Sequence, residues 1–122
     1  MSESLRVAFV EDNADLREAI VAYFEVSGLE VAAYSSAEAA IDGLGAFDAR
    51  VVLTDLSLGR GLGGRELAHR LRSDVRHERR KIIALSGDAA AVPIGDGVFD
   101  QVVQKPIDLD QLVAIVRQLG AS

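Results

Sequence analysis

The chain has 122 residues, 13 basic against 19 acidic, a net charge of −6, and 49% hydrophobic and 26% charged positions. That describes one globular domain, residues 1–122, long enough to bury a core without metal or disulfide. The absence of cysteine excludes disulfide frameworks, thiol nucleophiles and cysteine-ligated metal centres. The acidic balance opposes indiscriminate binding to nucleic-acid phosphates. The longest apolar run, Ala19 to Phe24, is too short to span a bilayer, and the first four residues lack the basic and apolar regions of a signal peptide. No direct nucleic-acid or membrane contact is expected, and the expected setting is cytoplasmic.

Short β-branched apolar runs alternate with segments of helical period. The runs are Leu5 to Val10, Val31 to Tyr34, Val51 to Thr54, Lys81 to Leu85 and Gln101 to Val103, several apolar on both faces, as strands of a covered parallel sheet are. After the first run, Leu16, Ala19, Ile20, Tyr23 and Phe24 follow i, i+3, i+4, i+7, i+8, and Gly28 supplies a C-terminal stop. Ser35 and Glu38 have capping-box spacing ahead of the second helix. A third helix runs roughly from Gly64 to Arg72 behind a glycine-rich loop. The fourth is reduced to about one turn over Ala89 to Val92, cut short by Pro93 with Gly95 and Gly97 following. Asp108 and Gln111 open the last helix, which buries Leu109, Leu112, Val113, Val116 and Leu119. Strand then helix, five times over, predicts an α/β fold with an open, doubly wound, five-stranded parallel sheet and five helices, the fourth shortened or irregular.

Ligands of such sheets bind beyond the carboxyl ends of the strands. There the sequence places Glu11 and Asp12 after the first strand, Asp55 after the third, Ser86 after the fourth and Lys105 after the fifth. Taken singly, each reads as a turn, a helix cap or a solvated loop residue. Jointly they form a carboxylate cluster that needs a counter-charge, for which a hard divalent cation and Lys105 are the candidates. Oxygen-only ligands suit Mg²⁺ better than zinc or copper. A Mg²⁺ site with a free carboxylate, a lysine and a hydroxyl has the parts for phosphoryl transfer, with Asp55 as nucleophile. Asn13 reads as a helix cap or a polar neighbour of the metal, the cap being favoured. His69 and His77 read as a solvated helix face and a polar loop. The arginine-rich stretch 70–81, interrupted by Asp74 and Glu78, reads as a solvated, mixed-charge surface in preference to an anion site.

Four segments, Val10-Glu11-Asp12-Asn13-Ala14-Asp15-Leu16-Arg17-Glu18, Leu53-Thr54-Asp55-Leu56, Ala84-Leu85-Ser86-Gly87 and Gln104-Lys105-Pro106, resemble the signatures of response-regulator receiver domains, the CheY-like superfamily of two-component signalling. They stand in family order and at near-family spacing, and the resemblance covers the whole chain. It implies a flavodoxin-like sheet in the order 2-1-3-4-5. It implies that Asp55 accepts a phosphoryl group from a histidine kinase or a histidine phosphotransfer protein, as in a two-component or phosphorelay pathway. Mg²⁺ would be bound by Asp12, Asp55 and the backbone carbonyl of Ser57, with Glu11 acting through a metal-bound water. Lys105 would pair with Asp55 before transfer and with the phosphoryl group after it, and Ser86 would swing to that group as the switch. The module would catalyse its own phosphorylation without being a turnover enzyme, and would pass the signal to a further protein. It would be either a stand-alone receiver or one belonging to a longer protein, such as a hybrid histidine kinase.

Three features depart from the family. The position usually held by an aromatic switch residue is Val102, with no ring to relocate and little χ1 freedom. Ser86 and Lys105 are about one helical turn closer than is typical. The loop Ser57 to Gly64 is glycine-rich and has Gly59 where proline is common, serving either partner docking or nothing specific. The first two predict that output avoids the common symmetric dimer through the fourth helix, fifth strand and last helix. Two other readings compete with the switch. One is a receiver-like binding module that works without phosphate. The other is a Mg²⁺-dependent aspartyl phosphatase of the haloacid-dehalogenase kind, which Ser57 disfavours by standing where that class has an acid.

Overall fold

A computed structural model describes residues 4–121, apart from 60, 78, 89, 91 and 93–96. In chain order the elements are β1 (Arg6–Val10), α1 (Ala14–Val26), β2 (Glu30–Tyr34), α2 (Ala37–Gly43), β3 (Val51–Asp55), α3 (Gly64–Arg72), β4 (Lys81–Ser86), β5 (Gln101–Gln104) and α4 (Leu109–Gly120). The strands form one sheet in the order β2-β1-β3-β4-β5, every pair parallel. Four helices are counted among the described residues where the sequence predicts five. The turn expected over Ala89 to Val92, with Pro93 and Gly95, falls largely outside those residues.

Alternation along the strands sorts the core into two layers. Val7, Phe9, Val51, Leu53, Ile83 and Leu85 face Ile20 and Phe24 of α1 and Leu112 and Val116 of α4. Their sequence neighbours Ala8, Val10, Val52, Ile82 and Ala84 face Ala37 and Ala40 of α2 and Leu67, Ala68 and Leu71 of α3. This is the two-residue period of a strand covered on both faces, and it explains why the central strands read as unbroken apolar runs.

The helix starts follow local hydrogen bonding. The Asn13 side chain accepts from the Leu16 amide (2.9 Å), which assigns it to capping α1, and Asp108 accepts from the Gln111 amide (3.1 Å) at α4. The second helix begins one residue later than the sequence suggested. Ser36, not Ser35, is its cap, accepting from the Ala39 amide at 3.1 Å. Glu38 completes no capping box there. Its carboxylate accepts from the Leu62 amide (3.1 Å) and so ties α2 to the glycine-rich loop.

The 70–81 stretch also differs from expectation. His69 is exposed, as predicted, but His77 and Arg80 are buried. The Arg80 guanidinium donates to His77 Nδ1 (2.9 Å) and to the carbonyls of Ala49 and Leu44. Its fork of donors satisfies several carbonyls at once, which is how an arginine becomes a staple between loops. Burial and the adjacent Arg80 cation hold the His77 imidazole below its ordinary pKa.

Candidate functional site

Asp55 ends β3, all five residues of which are buried. The Thr54 hydroxyl donates to the Asp55 carbonyl (2.9 Å), and α3 starts so close that a Cβ on Gly64 would stand 2.2 Å from that same oxygen. Only glycine permits that approach. The carboxylate, in a residue 5% exposed, accepts from the Ser57 amide at Oδ1 (3.0 Å) and from Lys105 Nζ at Oδ2 (2.5 Å). The lysine arrives from beyond β5, 50 residues away in sequence, with its backbone amide bonded to the Ser86 carbonyl (2.8 Å).

Glu11, 2% exposed, follows β1. Its amide donates to the Tyr34 carbonyl (3.0 Å), and its carbonyl accepts from Arg17 Nη1 (2.8 Å). One carboxylate oxygen accepts from the Asn13 amide (3.1 Å). The other, Oε1, lies 3.9 Å from Lys105 Nζ and has no hydrogen-bond partner. Burial lifts this carboxyl from 4.5 to about 7, the Asn13 amide offsets part of the rise, and the neighbouring carboxyls of Asp55 and Asp12 add to it. Asp12 itself is exposed. A Cβ on Gly59, whose φ is +62°, would come within 2.8 Å of Asp12 Oδ2, so the loop after Ser57 lies directly against that carboxylate.

The structure thus brings Glu11, Asp55 and Lys105 into contact, with Asp12 at the mouth. Ser86 ends β4 at the same edge, and its hydroxyl accepts from the Asp88 amide (3.1 Å). Val102 is half-buried against the α2 and α3 layer, paired with Ala84 in register. Among the described residues no three acidic or histidine side chains converge tightly enough to chelate an ion unaided. A bound ion would draw on carboxylates, backbone oxygen and water together, which is the habit of Mg²⁺. The orphaned buried Glu11 Oε1 and the oxygen-only donor set fit such a hard cation.

Several contributors were not singled out from sequence. Arg17 is legible in hindsight, because a side chain in the first turns of a helix reaches back over its N-terminus. The roles of Thr54, Gly64 and the Ser57 amide depend on where the backbone of α3 docks, and no local pattern announces that.

Residues 7–117 match the model of the response regulator receiver domain family. The chain is 32% identical to the transcriptional regulatory protein FixJ of Azorhizobium caulinodans, over all of this chain and 58% of FixJ. It is 30% identical to the C4-dicarboxylate transport transcriptional regulatory protein DctD of Rhizobium meliloti, over 97% of this chain and 26% of DctD. It therefore spans only part of these relatives. Among solved structures, a putative response regulator from Chloroflexus aurantiacus superposes with a TM-score of 0.89 at 23% identity, over 98% of this chain and all of that one. The receiver domain of a sensor histidine kinase from Pseudomonas aeruginosa, which carries a magnesium ion in its active-site cleft, gives 0.85 at 22% identity, over 98% and 100% of the two chains. Fold, matched span and curated relatives agree that this chain belongs to the receiver-domain family of two-component response regulators.

Proposed function

We propose that the chain is a single phosphoaccepting receiver in which Asp55 is the phosphoacceptor. The observation that carries this reading is the buried Asp55 carboxylate at the end of β3, held at one oxygen by Lys105 and at the other by the Ser57 amide. In the transfer an Asp55 oxygen attacks phosphorus, the O–P bond forms, and the N–P bond to a phosphohistidine breaks, leaving a neutral imidazole after proton uptake. Before attack Lys105 holds one Asp55 oxygen by a charge-assisted hydrogen bond, which fixes the direction in which the carboxylate faces. Afterwards the same ammonium lies within reach of the phosphoryl oxygens.

Asp12, Asp55 and the Ser57 carbonyl would hold Mg²⁺, with Glu11 acting through a bound water. The ion would neutralise charge on the incoming phosphoryl group. Ser86 supplies the hydroxyl that follows the phosphoryl group and draws the start of the β4–β5 connection inward. Val102 transmits that movement without the aromatic reorientation common in the family, so output bypasses the symmetric dimer through β5 and α4. The phosphodonor is a histidine kinase or histidine phosphotransfer protein. Its docking is favoured by an apolar cleft of about 280 Å³ beside Lys105, lined by Leu16, Ala19, Ile20, Pro106, Ile107 and Leu109.

Intact-mass spectrometry after incubation with acetyl phosphate and Mg²⁺ tests the proposal. One phosphoryl adduct is expected, lost without metal and in Asp55→Asn. An adduct that persists in Asp55→Asn, or a wild-type chain that never labels while a control receiver does, overturns it.

A further inference from the structure

At the other end of the sheet, about 20 Å away along a six-residue strand, the chain concentrates positive charge. Of its 13 basic residues, Arg50, Arg72, Arg76, Arg79, Arg80 and Lys81 line two adjoining clefts of about 380 and 260 Å³ that share Arg50, Arg79 and Arg80. In a chain of net charge −6 this clustering is a strong asymmetry.

Part of it is architectural. Arg80 staples Ala49 and Leu44, and Arg72 reaches the carbonyls of Arg80 (2.6 Å) and Val98 (3.1 Å) as well as Asp100 Oδ2 (2.6 Å). The carboxylates at hand are largely committed. Asp100 also accepts from the Ile82 amide (2.8 Å), and Asp74 is taken by Arg76 (2.7 Å). Asp48, its side chain 91% exposed, reaches Arg80 only at 3.5 Å. Arg50 Nη1 donates to the Arg79 carbonyl (3.3 Å), which sets it on the cleft wall. The side chains of Arg79 and Lys81 make no hydrogen bond or ion pair among the described residues. They add to the repulsion among these cations while bonding nothing that the fold requires.

We infer that this basic cleft is a second binding site, for a multivalent phosphate-type oxyanion such as a polyphosphate chain. Guanidinium forks match phosphate oxygens two at a time. The cleft is of small-ligand size, and an anion would offset the surplus of cations without a metal. The site shares no residue with the Asp55 pocket, so its existence is independent of phosphorylation there.

Isothermal titration in metal-free buffer at fixed ionic strength provides the test, with sodium tripolyphosphate, ATP, orthophosphate and sulfate as probes. Tripolyphosphate is expected to bind with a Kd of about 1 mM or tighter, and at least about tenfold more tightly than sulfate. Arg79→Gln/Lys81→Gln should weaken it about tenfold or more, with the single exposed-site variant Arg79→Gln intermediate and Asp55→Asn unchanged. Backbone amide shifts should move at 50 and 79–81 rather than at 11–12 and 55–57. If ATP binds as tightly as tripolyphosphate, the phosphate chain of a nucleotide is accepted; if only tripolyphosphate binds, condensed inorganic phosphate is the ligand class. Binding equal to that of sulfate, an unchanged Kd in folded Arg79→Gln and the double variant, or shifts confined to the acidic pocket would overturn the inference.

Discussion

Replacing Glu11 with glutamine separates the demand of the site from the demand of the fold. The carboxyl is nearly inaccessible, one oxygen lacks a hydrogen bond, and burial lifts its pKa from 4.5 to about 7. A pKa raised on folding means that the folded state holds the proton more tightly than the unfolded chain does. The group's contribution is therefore fully present below pH 4.5, declines as pH rises, and is gone above pH 7. The total loss is about 3 kcal/mol. Glutamine keeps the shape and can still accept from the Asn13 amide, but it never ionises. In metal-free buffer Glu11→Gln should exceed wild type by under about 1 kcal/mol at pH 5 and by about 3 kcal/mol at pH 8. Urea denaturation at the two pH values reads this difference directly. A difference that is equal at both pH values would refute an ionised, poorly solvated Glu11 as its source.

Four further outcomes follow from contacts described above. Lys105→Met leaves Asp55 and Glu11 without their cation and should cost about 1–3 kcal/mol at pH 8, measured by urea denaturation, with a smaller loss at pH 5. Gly59→Ala places a side chain at φ +62° against Asp12, which should cost about 1 kcal/mol and weaken Mg²⁺ in an amide-shift titration; unchanged metal affinity would detach the loop from the site. Arg80→Met strands the Leu44 and Ala49 carbonyls and His77 Nδ1, for a loss of about 2–4 kcal/mol in the same denaturation assay. Ala19→Arg, at an exposed position of α1, should leave labelling by acetyl phosphate intact but slow transfer from a phosphohistidine protein by about tenfold or more. Equal slowing of both donors would mean that the cleft is not a docking surface.

The parallel sheet was legible because each strand is a short apolar run and each long helix shows a regular stripe, whereas the strand order came from the resemblance to receiver domains, since periodicity does not say which strands lie side by side. The polar residues at the strand ends were legible for a related reason, since in a parallel sheet chain order alone decides which edge they share. What escaped the sequence depends on distances between segments far apart in the chain. The reach of Glu38 to Leu62 looked like a local capping box, because a carboxylate in a first helical turn serves either purpose. Arg80 and His77 looked solvated because hydrophilic residues in an arginine-rich stretch give no sign that the carbonyls of Leu44 and Ala49 await the guanidinium, or that the imidazole will accept from it. The shift from Ser35 to Ser36 is the ambiguity of two adjacent hydroxyls, resolved only by which one the Ala39 amide meets.

Strand β4 is a party wall. Ile83 and Leu85 belong to the layer of α1 and α4, while Ile82 and Ala84 belong to that of α2 and α3, and Ser86 stands at the strand's end. In a close-packed interior neither side has slack to absorb a displacement of the wall. A pull on this one hydroxyl residue is therefore audible in both rooms, and listeners posted on opposite faces of the molecule can hear the same event.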